Sequence, residues 1–326
     1  MNLKYIIPLL VLFCTAVPGK AAETGPGLQS LHFIVIGDWG MQGHYKQRAV
    51  AAQMEALASA NPIDFIISTG DNIYPRGVKS SADPLWQKTF EDVYSLPHLH
   101  KLPWYVVLGN HDYLGEYHAE IEYGRENPRW ILPNNYYDRV MKLNDSMSVQ
   151  FIFLDTSIFI DKYRARPDVY HHILEHDPAA EVNWLREKLA GRQHRWRIVI
   201  GHHTVYSSGY AHGDTEELKA VLPGIFADYD VQAYFSGHDH HLEHNKPPGR
   251  THYFISGGGG EHRWVKKGPD TRFAAASKGF AYVVIDDKCM RVRFINSKGK
   301  TLYQTEVPAE QGLECNPARE FTPPAS

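Results

Sequence analysis

The sequence predicts an α/β protein built as a four-layer α/β/β/α sandwich of two mixed sheets. Three observations carry that expectation. Apolar runs alternate with amphipathic stretches from Leu31 to Phe235, the pattern of strands joined by helices. After Phe235 the apolar runs follow one another with no helix between them, as in a meander. The runs are apolar throughout instead of alternating, so their strands are buried on both faces. Two sheets packed face to face between helical layers would bury that many.

In chain order, residues 31–36 read as a strand that empties into Gly37-Asp38-Trp39-Gly40. Residues 45–60 read as an Ala-rich helix with Val50, Met54 and Leu57 on one face, stopped by Asn61-Pro62. Phe65-Ile66-Ile67 is a strand running into Gly70-Asp71-Asn72-Ile73-Tyr74. A short helix follows around residues 85–94, then a strand at 105–108 that ends in Gly109-Asn110-His111-Asp112. Residues 113–140, rich in Tyr, Asn and Pro, read as a long loop. Residues 148–154 are a strand, and 161–177 a polar excursion. A helix marked by Val182, Leu185 and Leu189 precedes a strand at 197–200 and Gly201-His202-His203. A helix marked by Leu218, Val221, Leu222 and Ile225 precedes a strand at 231–235 and Gly237-His238-Asp239-His240-His241. Strands at 253–255, 280–285, 290–295 and 301–307 complete the pattern, with a hairpin turn at Asn296-Ser297-Lys298-Gly299.

Residues 1–22 read as a secretory signal: Lys4, an apolar run from Tyr5 to Val17, then small residues up to a cleavage point near Ala22. That run is too short to span a bilayer. Residues 23–310 read as one domain and 311–326 as a flexible, Pro-rich tail. The expected location is secreted or periplasmic. The leader holds Lys4 and Lys20 and no acid, which leaves 32 basic against 37 acidic residues, a net −5. Such a chain has no electrostatic footprint for nucleic acid or an anionic membrane, and it is expected to act as a monomer. Cys289 and Cys315 remain after the leader, and they read equally well as a disulfide or as two thiols.

Five strand ends carry potential ligands: Asp38; Asp71 with Tyr74; Asn110; His202; and His238 with His240. Sites in α/β sheets form beyond the carboxyl ends of strands. So many polar groups aimed into one crevice need neutralising, and metal ions do that. The donors divide into two sets that share Asp71. Asp38, Tyr74 and His240 make a hard, anionic set suited to Fe(III). Asn110, His202 and His238 make a more nitrogenous set suited to Zn, Fe(II) or Mn.

These five blocks, in this order, resemble those of the purple acid phosphatases, most closely the small, single-domain type known from mammals. The resemblance runs from about Leu31 to Val307. It implies the calcineurin-like metallophosphoesterase fold, with Fe(III) on Asp38, Asp71, Tyr74 and His240 and a divalent ion on Asp71, Asn110, His202 and His238. The wider superfamily has Asp-x-His in the first block; here Asp38-Trp39-Gly40 has no histidine, and Tyr74 takes that place. The activity implied is hydrolysis of phosphate monoesters by hydroxide bound to the ions. His111 and His212 match the substrate-side histidines, for phosphate contact and proton donation. The plainer alternatives are that His111 orients Asn110 and that His212 is a solvated loop residue. His203 departs from the mammalian pattern, where an aromatic residue follows the ligand. Asp112 is expected to orient backbone or a ligand, Asp155 to be structural, and His241 and His244 to lie at the surface. The competing readings are a phosphodiesterase or phosphoprotein phosphatase of the same superfamily, and an exported metal-binding protein without hydrolysis.

Overall fold

The computed structural model describes residues 30–191 and 193–315. The leader expected at residues 1–22 and the tail beyond Cys315 lie outside the described residues. β1 (Leu31–Ile36), β2 (Phe65–Ser68), β3 (Trp104–Val106) and β4 (Trp130–Ile131) run parallel to one another. β5 (Tyr137–Lys142), β6 (Ser148–Phe153), β7 (Trp196–Ile200), β8 (Ala233–Ser236), β9 (Leu242–Asn245), β10 (His252–Ser256) and β11 (Thr271–Ala275) form a second sheet, in the order β11-β9-β10-β8-β7-β6-β5. The meander β12 (Gly279–Ile285), β13 (Cys289–Asn296), β14 (Thr301–Pro308) returns to the first sheet, giving β14-β13-β12-β1-β2-β3-β4. Both sheets are mixed, as the sequence predicts.

The two sheets meet through aromatic side chains. Phe151 of β6 stands edge-on to Phe33 of β1 at 5.5 Å and to Phe65 of β2 at 5.6 Å. At the other side Phe254 of β10 meets Phe294 of β13. Helices cover the outer faces. α1 (Gln47–Ala60) buries Val50, Met54 and Leu57, the predicted stripe, and Asn61 ends it in extended backbone. The next helical stretch is α2 (Pro84–Trp86), a π turn (Gln87–Glu91) and α3 (Asp92–Tyr94), entered through the Asp83 side chain, which accepts from Leu85 N. It packs Phe90 and Tyr94 around Trp39, Trp104 and Trp130.

Residues 113–140 are not a loop. They hold α4 (Tyr117–Glu126), β4 and most of β5. The stripe that seats α4 is aromatic and small rather than aliphatic: Tyr117 and Ala119 are buried, and Tyr123 stacks on Trp86 with ring centroids 3.7 Å apart. On the second sheet sit α5 (Asp161–Arg164), α6 (Pro178–Ala190) and α7 (Glu216–Asp228), with Phe226 of α7 against Tyr234 of β8. β9 and β11 went unpredicted: Leu242-Glu243-His244-Asn245 is polar although every residue in it is buried, and β11 has no buried residue. Cys289, at the start of β13, is disulfide-bonded to Cys315 with 5.6 Å between Cα atoms, so the chain is held as far as that residue.

Candidate metal centre

All five ligand-bearing loops follow parallel strands: β1, β2 and β3 of one sheet, β7 and β8 of the other. Backbone hydrogen bonds stitch the loops together. Asp38 N donates to Gly70 O at 3.0 Å, Gly237 N to His202 O at 3.0 Å, and Gly37 N to Ser256 O at 2.8 Å. Asp38, Asp71 and His238 all sit in left-handed backbone, with φ of 58°, 52° and 65°. Such residues cost about 1–3 kcal/mol each and persist where the surroundings over-determine them. Here His238 N donates to Asp38 Oδ2 at 2.9 Å and His111 N to Asp71 Oδ1 at 2.8 Å. Two glycines leave room for the carboxylates. A Cβ on Gly109 would stand 2.2 Å from Asp71 Oδ1, and one on Gly237 2.4 Å from Asp38 Oδ2.

The two predicted donor sets assemble around Asp71. On one side, Tyr74 Oη lies 2.6 Å from Asp71 Oδ2, 3.1 Å from Asp38 Oδ1 and 3.1 Å from His240 Nε2. On the other, His202 Nε2 lies 3.4 Å from Asp71 Oδ1, 3.3 Å from Asn110 Oδ1 and 3.2 Å from His238 Nδ1. The seven side chains are buried.

Proton counting shows what this arrangement lacks. His202 Nδ1 donates to Thr69 O at 2.8 Å, so in the neutral ring Nε2 carries a bare lone pair. That lone pair faces a carboxylate oxygen, an amide oxygen and a second imidazole nitrogen. Tyr74 has one proton for two carboxylate oxygens. Lone pairs turned on one another in a buried site fit cations in both halves. Burial, with His203, His202, His212 and Lys162 around it, holds the His238 imidazole well below its ordinary value, so it stays neutral. Burial and the Asp71 and Asp38 carboxylates push the Tyr74 phenol well up. Burial would also raise Asp71, and hydrogen bonds from Tyr74 Oη and His111 N help to hold that carboxyl down.

The predicted substrate-side histidines reach the rim of the same site. His111 is partly exposed; its ring lies 4.4 Å from that of Tyr74, and Nδ1 donates to Pro75 O at 2.7 Å. Its Nε2 is 3.9 Å from Asp71 Oδ2. His212 lies over His238, with ring centroids 4.0 Å apart.

Some of the remaining expectations hold and others change. Asp112 does orient backbone: its carboxylate accepts from Asn72 N at 3.0 Å and Gly109 N at 2.8 Å, and burial with Asp71 nearby pushes it up to about 7. Asn72 adds bonds to Val107 O and Ser68 Oγ. Asp155 is structural, accepting from Tyr113 Oη and Asn135 Nδ2. His241 and His244 are buried, not at the surface: His241 pairs with Glu243 at 2.7 Å, and His244 contacts Tyr303 Oη and His252. His203 is buried between Thr156 and Tyr163. Gly257 closes on Asp38, its hypothetical Cβ 2.8 Å from Oδ2.

Two residues went unnoticed in the sequence. Asp239 accepts from Gly213 N at 3.1 Å and from Ser207 Oγ, so it holds the loop that carries His212. Its place between two ligand histidines was the available signal. Arg263, whose Nη1 lies 3.2 Å from His212 Nε2, had none.

Residues 31–242 match the calcineurin-like phosphoesterase family. The chain is 34% identical to purple acid phosphatase 3 of Arabidopsis thaliana over 95% of its own length and 87% of that protein. It is 34% identical to tartrate-resistant acid phosphatase type 5 of Homo sapiens, over 92% of this chain and 97% of the human one. The chain belongs to the purple acid phosphatases. Among solved structures, purple acid phosphatase PPD1 from yellow lupin shares the fold with a TM-score of 0.63 at 14% identity, covering 86% of this chain and 54% of that one. GAP50, the anchor in the inner membrane complex of Plasmodium, is similar with a TM-score of 0.76 at 27% identity, over 86% of this chain and 90% of that one. Tyr74, the residue expected from the sequence to mark this family, touches Asp38, Asp71 and His240.

Proposed function

We propose that the protein is an acid phosphatase that hydrolyses phosphate monoesters at a binuclear metal centre. The observation that carries this reading is Asp71, whose two oxygens face two different donor sets. We assign Asp38, Asp71, Tyr74 and His240 to Fe(III), and Asp71, Asn110, His202 and His238 to a divalent ion, Fe(II), Zn or Mn. When bound, such a pair supplies Lewis acidity toward phosphoryl oxygens and water acidic enough to act as a nucleophile below neutral pH.

The chain's own residues do the rest. Thr69 O fixes the His202 tautomer, so Nε2 points into the site as an acceptor. Asp112 and Asn72 lock the two loops that carry Asp71 and Asn110. His111 and His212 stand at the rim, where one can hold a phosphate oxygen and the other hand a proton to the leaving alkoxide. Asp239 keeps the His212 loop in place, and Arg263 adds fixed positive charge beside it.

The test compares turnover of a phosphomonoester and a phosphodiester by metal-loaded protein at acidic pH. The reading expects the monoester to be favoured and a chelator to abolish turnover. His202→Ala should cost more than the roughly 10–100-fold that losing a group behind a ligand costs. Full turnover in that variant would remove His202 from the centre; preference for the diester would move the protein to the phosphodiesterase reading.

A metal-binding protein without hydrolysis is the second reading, since a fold relative is an anchor in a membrane complex. Two bound metals with no turnover of any phosphate ester would favour it. We also propose that residues 1–22 form a cleaved signal, that residues 23–310 are one catalytic domain ahead of the tail 311–326, and that the mature protein is a secreted or periplasmic monomer. N-terminal sequencing of the exported protein tests the cleavage.

A further inference from the structure

Away from the centre just described, two histidines and two glutamates close a ring. His118 Nδ1 lies 2.8 Å from Glu116 Oε1, and its Nε2 lies 3.0 Å from Glu175 Oε2. His172 Nδ1 lies 2.5 Å from Glu175 Oε1, and its Nε2 lies 3.1 Å from Glu116 Oε2. Every ring nitrogen therefore faces a carboxylate oxygen, and every one of those oxygens faces a nitrogen. Ligand atoms of Glu116, His118 and His172 gather within 4.8 Å of one another. The two imidazoles sit 4.8 Å apart, nearly at right angles.

Four nitrogen–oxygen contacts need four hydrogens, because an ionised carboxylate brings none. Two imidazolium rings would bring all four: burial opposes that form of His172, but Glu175 and Glu116 outweigh it and raise its pKa. Two neutral imidazoles bring one each, and two contacts are then left with a lone pair against a carboxylate oxygen, which is repulsive. A divalent cation takes the lone pairs and the carboxylate charge together. Two imidazoles and a carboxylate, here His118, His172 and Glu116, are nitrogen and oxygen donors that zinc and its neighbours accept. The outer partners are in place as well: Tyr117 Oη donates to Glu175 Oε2 at 3.3 Å and contacts His176 Nε2 at 2.7 Å.

We propose that Glu116, His118 and His172 bind one zinc-class divalent cation, separate from the binuclear centre, with Glu175 holding the far nitrogens of both rings, and that this ion clamps the excursion of residues 165–177 to the first turn of α4. His172 and Glu175 come from the excursion; Glu116 and His118 come from the start of α4. The clamp matters because the same excursion is docked near the centre, with His171 N donating to Tyr113 O at 2.9 Å just after the Asn110 loop.

The experiment starts from holoenzyme with its binuclear centre filled. Zn(II) is added, free metal is removed by gel filtration, and metal per chain is counted. One further zinc per chain is expected in the unaltered protein, with a higher thermal midpoint. Co(II) in place of zinc should give a visible band from a site with nitrogen ligands. In His118→Ala/His172→Ala the added zinc, the cobalt band and the thermal shift should all disappear, while the two original metals stay. Glu175→Gln, at a half-exposed position that leaves both histidines, should weaken zinc at least tenfold and guards against a misfolded double variant. Extra zinc retained in the double variant, or none taken up by the unaltered protein below millimolar zinc, would overturn the proposal. So would a thermal gain that follows acidification and ignores zinc, since protons alone would then close the ring.

Discussion

Tyr74 carries one proton between two carboxylates, while its neighbour His202, as a neutral ring, turns a bare lone pair on a carboxylate and an amide oxygen. Most of this was legible in the sequence, because each ligand directly follows an apolar run, and the end of a buried strand can be read from its pattern. What could not be read were the groups that hold the ligands still. Asp112 and Asn72 act through backbone amides and carbonyls about 35 to 40 residues away, and such bonds leave no local pattern. His241 and His244 were misplaced for the same reason: their partners Glu243, Tyr303 and His252 make burial tolerable, and only the fold brings Tyr303 near. The residue-scale prediction concerns colour. Tyr74→Phe removes the phenolate but keeps the ring against His111, so the metal-loaded variant should lose its visible tyrosinate-to-iron absorption. An unchanged spectrum would take Tyr74 out of the ferric set.

At the scale of elements, the parallel strands that carry the ligand loops came through as predicted, and the failures at α4 and β9 share a cause. α4 is seated by tyrosines and an alanine, and β9 by buried polar residues, so neither shows aliphatic periodicity. The tail beyond β14 is tied back as far as Cys315, which the sequence left undecided. That bond closes a span of 26 residues. Cys315→Ser should lower unfolding stability by about 2–4 kcal/mol, measured by denaturant titration, and leave the metal content unchanged. A loss of metal in that variant would show that the tether reaches the centre.

For the molecule as a whole, acidity is a cost as well as a working condition. Burial, aided by Arg272 and Lys246, pushes His244 down to about 3. Burial, with His244, Lys246, Arg250 and Arg272 around it, does the same to His252. Both rings are neutral in the folded protein between pH 3 and 6.5, whereas the unfolded chain binds protons there. The unfolded state thus holds more protons, and stability rises with pH across that window. Acidification from pH 6.5 to 5 should cost about 1–2 kcal/mol per histidine. His252→Asn should flatten the slope of unfolding free energy against pH; an unaltered slope would mean these rings take up protons in the folded state.

The central claim is that one carboxylate is shared between two cations held by loops from both sheets. Anomalous diffraction from crystals of the metal-loaded protein tests it most directly. Two peaks should appear, both within bonding distance of the Asp71 carboxylate. One should be bonded to Asp38, Tyr74 and His240, the other to Asn110, His202 and His238. A single peak, or two ions that do not share Asp71, would contradict the account.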